Sequence, residues 1–187
     1  MARTNATVMG EILNALSAGL TPSVIGGTRE LKRMLSDVFE LKQGKPGTSP
    51  EFFGFQNWSE VVEFSGTEEG EDLKTFVQLV EQHGEKKLWK AVNSASANEQ
   101  QSDIVLSTAH KAKGREWGSV RLAPDFLSSK AREGGPIADA EVRLFYVAMT
   151  RAEKLLVVDP AMLEGFKSGA WKNAPDADQR VETWRCR

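Results

Sequence analysis

The stretch Ile-Val-Leu-Ser-Thr-Ala-His-Lys-Ala-Lys-Gly-Arg-Glu-Trp, Ile104 to Trp117, is the most informative in the chain. It begins as an apolar run of strand length and passes at once into a hydroxyl, an imidazole, two lysines, a glycine and a carboxylate. An apolar rather than alternating run is the mark of a strand in a parallel sheet covered on both faces. In such a sheet ligands bind beyond the C-terminal strand ends. Small residues there let a backbone approach a phosphate or sugar, His110, Lys111 and Lys113 offer donors, and Glu116 can accept from a ribose hydroxyl. Taken alone, the same residues equally describe a polar loop capping a strand, with a solvated lysine pair and a structural histidine.

A second strand is expected near Ser119–Pro124 and a third at Lys154–Val158. Between them Val142, Phe145, Tyr146 and Met149 mark one helix face and Leu144, Val147 and Ala148 the other, a pattern that predicts a largely buried helix. Arg151 closes that helix just before a strand. A guanidinium held by two rigid elements can point at a fixed phosphate, or it can simply complement the helix C-terminus. Towards the N-terminus, Arg3-Thr4-Asn5-Ala6 reads as a strand end followed by a helix (Val8, Ile12, Leu16) that stops at Gly19. Pro22 to Gly27 is a short strand closed by two glycines, and Leu31, Met34, Leu35, Val38 and Leu41 mark the next helix.

Residues 43–50 form a breaker cluster and a linker on this reading. Three short helical patterns follow, at Trp58–Val62, at Leu73–Val80 behind Asp72 as a cap, and at Leu88–Val92. The expected architecture is therefore α/β, a parallel sheet with helices on both faces and a small helical insertion. Its parts are residues 1–42, the acidic insertion 43–102, the returning sheet 103–164 and a tail 165–187.

Composition bounds the function. The chain has 187 residues, 40% of them hydrophobic and 27% charged, as in ordinary globular proteins. Residues 51–102 carry ten acidic side chains against four basic ones, so a polyanion should avoid them. No broad basic stripe is present, and nucleic-acid contact rests on a few placed residues. The single Cys186 makes no internal disulfide, and there is no apolar run of membrane-spanning length. The cytoplasm is the default compartment, with no membrane partner.

The two chemistry-bearing stretches occur in an order that resembles a family. Thr108 to Trp117 is similar to motif V, and Arg143 to Ala152 to motif VI, of the UvrD/Rep-type superfamily-one DNA helicases. Arg3 to Ala6 resembles motif IV, and Gly26-Gly27 the turn after the next strand. The resemblance covers about residues 2–42 and 103–159 and implies a RecA-like domain, the second half of an ATP-dependent motor. It implies that Arg3 and Arg151 contact the γ-phosphate as catalytic groups, with Gly114 and Glu116 against the nucleotide sugar. Thr108 and His110 would touch single-stranded DNA. Lys111 and Lys113 would contact phosphate or be merely solvated, and Gly26 and Gly27 would approach the DNA backbone or simply make a tight turn. Trp117 is expected in the core rather than as a stacking platform.

Two departures qualify the resemblance: the motifs of a first half are missing, and the motif IV stretch begins almost at Met1, so the strand expected before Arg3 has been cut or must come from elsewhere. No Gly-x-x-x-x-Gly-Lys-[Ser/Thr] loop is present, the nearest being Gly44-Lys45 followed by Pro46, and no acidic Mg²⁺-binding motif follows a suitable strand. ATP, its Mg²⁺ ligands and the first RecA-like half are therefore expected from a partner domain, with single-stranded or partially duplex DNA as substrate. The insertion is short and acidic, which looks more like the F-box-helicase-related branch. The alternative is a non-catalytic DNA- or protein-binding module, either a split-gene partner or a remnant.

Overall fold

The computed structural model describes residues 1–127 and 137–164. The chain divides into two units, residues 4–111 and residues 1–3 with 112 onward, so it crosses from one to the other inside Arg3-Thr4 and again at Lys111-Ala112. Both crossings fall within the quoted motifs. The tail 165–187 lies outside the described residues.

In the unit 4–111, helix α1 (Asn5–Ser17) starts at Thr4, whose side chain accepts from the Thr7 N–H, and stops at Gly19, where φ is 74°. Strand β1 (Pro22–Val24) is buried throughout and leads through Gly26 and Gly27, at φ of 77° and 76°, into α2 (Arg29–Lys42). Those values are ones that only glycine adopts at little cost. Three helices follow, α3 (Trp58–Ser65), α4 (Glu71–His83) and α5 (Glu85–Ser94), and then β2 (Ile104–Leu106). Strand β2 pairs parallel with β1, Pro22 opposite Ile104 and Val24 opposite Leu106.

The core of this unit is built from Met9 and Ile12 of α1, Leu31, Leu35, Val38 and Leu41 of α2, Val80 of α4 and Leu88 of α5, all essentially buried. Each such side chain contributes about 1.5–3 kcal/mol by leaving water. The helices of residues 43–102 pack on those before them, α4 and α5 on α1, and α3 and α5 on α2. Their own core is aromatic. Phe52 lies 5.5 Å from Phe76 and 6.4 Å from Trp58 between ring centres, and the Trp58 indole N–H donates to Glu81 at 2.8 Å.

Two local expectations change. Asp72 lies in the first turn of α4 rather than at its cap, which is Gly70 with no side-chain cap bond. A bulky residue cannot replace Gly70, because a Cβ would sit 1.9 Å from the Phe64 carbonyl oxygen. Residues 43–50 are not a loose linker either. The buried Asp37 carboxylate on α2 accepts from the Thr48 hydroxyl (2.9 Å), the Ser49 N–H (2.7 Å) and the Ser49 hydroxyl, pinning the loop to the helix.

In the unit from residue 112, β3 (Trp117–Arg121), α6 (Asp139–Met149) and β4 (Ala152–Val157) form a parallel crossover. Ser119 stands opposite Leu155 and Arg121 opposite Val157, with a register shift between Trp117 and Ser119. Parallel pairing is as expected, but among the described residues the strands form two separate two-stranded sheets. Helix α6 is less buried than its all-round apolar pattern predicts. Leu144, Phe145 and Ala148 are its core stripe, whereas Tyr146 is 52% exposed, as Leu155 (54%) and Val157 (47%) are on β4. Val120 on β3 and Phe126, which meets Phe145 at 5.8 Å, complete this smaller core.

Candidate functional site

The parallel pairing of β1 with β2 sets two loops side by side at one sheet edge. Beyond Val24 the chain turns through Gly26 and Gly27, and beyond Leu106 it runs through Ser107, Thr108, Ala109, His110 and Lys111. The Ile25 N–H donates to the Leu106 carbonyl at 2.9 Å and so extends the ladder into the edge. Five expected nucleic-acid residues, Gly26, Gly27, Thr108, His110 and Lys111, therefore share one C-terminal strand edge, the place an α/β sheet offers a ligand.

Their roles within it differ. His110, Gly26 and Gly27 are exposed. Thr108 is buried, and its hydroxyl accepts from the Lys111 N–H at 3.4 Å, so it shapes the turn. The Lys111 stem lies over the glycine turn, where a Cβ on Gly26 would come within 3.4 Å of its Cδ. Its ammonium reaches Glu30 on the first turn of α2 at 2.9 Å. Glu30 also accepts from the Asn5 amide at 3.4 Å, and the Lys111 hydrogen bond holds its carboxyl below the usual glutamate range. Neither Asn5 nor Glu30 stood out in the sequence. Asn5 sits inside the motif IV stretch, but Glu30 carried no signal beyond being acidic in a helix first turn.

The expected nucleotide residues all lie in the other unit. Gly114 is exposed at φ 75°, with open space where a Cβ would be, and Glu116 is exposed two residues on. The Trp117 N–H donates to the Arg151 carbonyl at 2.9 Å, which joins the starts of β3 and β4. Across that junction the Arg151 Nη1 donates to the Arg115 carbonyl (3.3 Å), Nε to the Val147 carbonyl (3.0 Å) and Nη2 to the Thr150 hydroxyl (3.0 Å). Its guanidinium thus spans the end of α6 and the Gly114–Glu116 turn. Trp117 is half-buried at the start of β3.

Arg3 lies elsewhere on α6. It makes a bidentate pair with Glu141 in the helix first turn, Nε to Oε2 at 2.7 Å and Nη2 to Oε1 at 2.9 Å, while its N–H donates to both Asp125 oxygens at 3.0 Å. Glu141 and Val147, the anchors of the two arginines, are six residues apart, about 9 Å along the helix axis. The two guanidinium groups are thus held by different partners, Arg3 by Glu141 and Arg151 by the Val147 and Arg115 carbonyls and the Thr150 hydroxyl. Lys113 belongs to the same unit and is exposed.

Family comparison takes in the stretches that resemble motifs V and VI, Thr108 to Trp117 and Arg143 to Ala152, but not Arg3 to Ala6 or Gly26-Gly27. Residues 55–161, more than half of the chain, match the model of the UvrD-like helicase C-terminal domain. The chain belongs to that family. Among curated relatives, this UvrD-like domain is 29% identical over 152 residues to F-box DNA helicase protein 1 of Schizosaccharomyces pombe, covering 73% of this chain and 17% of that protein. It is 28% identical over 126 residues to F-box DNA helicase 1 of Gallus gallus, covering 57% of this chain and 12% of that one. The UvrD-like domain thus spans less than a fifth of the length of either relative. Membership accords with the α/β architecture of parallel strand pairs and helices. No helix among the described residues is long and apolar enough to cross a membrane.

Proposed function

We propose that this chain is the second RecA-like half of an ATP-dependent DNA helicase, contributing a single-stranded DNA edge and one wall of the nucleotide site. The observation that carries the reading is the β1–β2 edge. Parallel register sets a glycine turn and the Thr108–Lys111 loop side by side, so exposed backbone, an imidazole and an ammonium lie within one surface. That combination suits a flexible polyanion, which needs close backbone approach and a few cations rather than a deep pocket.

For the nucleotide, Gly114 and Glu116 form an open turn and Arg151 is anchored beside it, so these residues fit a ligand presented by a partner domain. ATP with Mg²⁺ supplies the phosphoryl transfer that drives such motors. This chain's part is to orient a fork of donors from Arg151 on rigid elements and to present the Gly114–Glu116 turn to the sugar. Arg3 joins that role only when it leaves Glu141. The metal ligands and the phosphate loop belong to the first half.

A fluorescently labelled oligothymidylate tests the edge by anisotropy over a salt series. Binding should be weak and salt-sensitive, with few phosphates engaged, and Lys111→Ala should weaken it several-fold. Tight binding that persists in high salt, or binding indifferent to Lys111, would contradict the proposal.

A further inference from the structure

We infer that Glu30 is a built-in competitor for DNA phosphate at Lys111, an affinity-setting residue at the edge described above; the inference rests on that edge being the DNA contact. One carboxylate oxygen, Glu30 Oε2, takes both the Lys111 ammonium at 2.9 Å and the Asn5 amide at 3.4 Å. Two donors from separate elements, the loop after β2 and the first turn of α1, thus converge on a single anionic oxygen beside the Gly26–Gly27 turn. A phosphate oxygen asks for the same donors, since carboxylate and phosphate are both met by charge-assisted hydrogen bonds. The lysine stem lies against Gly26, which has no side chain to displace it.

The pair is also placed to exchange. Glu30 is 50% exposed and Lys111 24%, so water reaches both. Exposed ion pairs are weak, and an incoming phosphate can take over the ammonium without stranding a buried charge. Without nucleic acid Glu30 holds Lys111 over the glycine turn. With it, one anion replaces another, and Glu30 is left facing the phosphate it yielded to. The net electrostatic gain is smaller than Lys111 alone would give. Affinity is kept low and the contact is quickly released, as suits an edge that must let go of each nucleotide it holds.

The test compares Glu30→Gln with the wild-type chain in the oligothymidylate titration. Removing the charge should tighten binding about three- to tenfold and steepen the dependence of log affinity on log salt by roughly 0.7, the share of one single-strand phosphate. In a Lys111→Ala background most of that gain should vanish. Glu30→Asp, too short to hold the ammonium at the same distance, should fall between. Thermal melting of each variant checks the fold; Glu30 is a surface residue, so the melts should superimpose. If Lys111→Ala weakens binding but Glu30→Gln neither tightens it nor steepens the salt dependence, the competitor is refuted while the DNA edge stands. An equal gain from Glu30→Gln with Lys111 absent refutes it as well, because the effect is then long-range charge alone. A wild-type chain that binds no oligothymidylate, or binds it without regard to Lys111, overturns the edge and the competitor together.

Discussion

At the scale of single residues, the two arginines that resemble phosphate ligands are held in different ways. Arg3 is clamped by Glu141, and Arg151 gives its donors to carbonyls and a hydroxyl at the end of α6. Replacing Arg151 by Ala should therefore cost more than a free surface charge, about 1–2 kcal/mol, because it strips a cap from α6 and a tie to the Arg115 carbonyl. Lysine should restore little of that, since one ammonium cannot serve the three acceptors that the planar fork reaches. Chemical denaturation of the two variants checks both statements. Arg151 was legible from sequence as the residue that closes an apolar helix. Its attachment to the Gly114–Glu116 turn was not, because it depends on the parallel register of β3 and β4, and nothing in the local pattern encodes that register.

At the scale of elements, the loop after α2 depends on a buried charge. Burial pushes the Asp37 carboxyl up, but hydrogen bonds from Ser49 and Thr48 outweigh it and hold the group below its ordinary value of 3.8. The folded state is thus the weaker proton binder. Asp37 contributes stability that is fully present above its unfolded pKa and is lost as the pH falls through the folded one. Asp37→Asn should lower stability near neutral pH by about 1–3 kcal/mol, and the gap from wild type should close in strong acid. Urea melts at both conditions measure it. The aromatic core under α3 and α4 is a second dependence. Phe76 is 1% exposed between Phe52 and Trp58, so Phe76→Ala should cost about 3–5 kcal/mol, read in the same melts. Helices α1 to α5 were legible because apolar residues recur three and four apart on amphipathic faces. The anchoring of residues 43–50 was hidden, because glycine and proline signal a break in regular structure but not whether the break is tied down. The apolar run of α6 misled in the other direction, since Tyr146 lies on the exposed side.

At the scale of the whole molecule, the residues that resemble a DNA surface fall, Lys113 excepted, in a different unit from those that resemble a nucleotide wall. Gly26, Gly27, Thr108, His110 and Lys111 belong to the unit 4–111, while Arg3, Gly114, Glu116 and Arg151 belong to the other. The chain passes between the units within motifs IV and V. Sequence order brought the motifs into one list, but only the fold sorts them into two units. The isolated chain should hydrolyse no ATP with or without single-stranded DNA, because no phosphate loop is present to cradle the β- and γ-phosphates. A phosphate-release assay on the purified chain checks this. The part played by Arg151 is measured by DNA-stimulated ATP turnover of the intact motor, this chain joined to its phosphate-loop half, comparing wild type with Arg151→Ala beside their melting curves. A role on the γ-phosphate predicts a fall on the order of a thousandfold in turnover with the fold retained and nucleotide binding largely kept. Near-normal turnover in the folded variant would contradict it and leave Arg151 as no more than the tie between α6 and the Gly114–Glu116 turn.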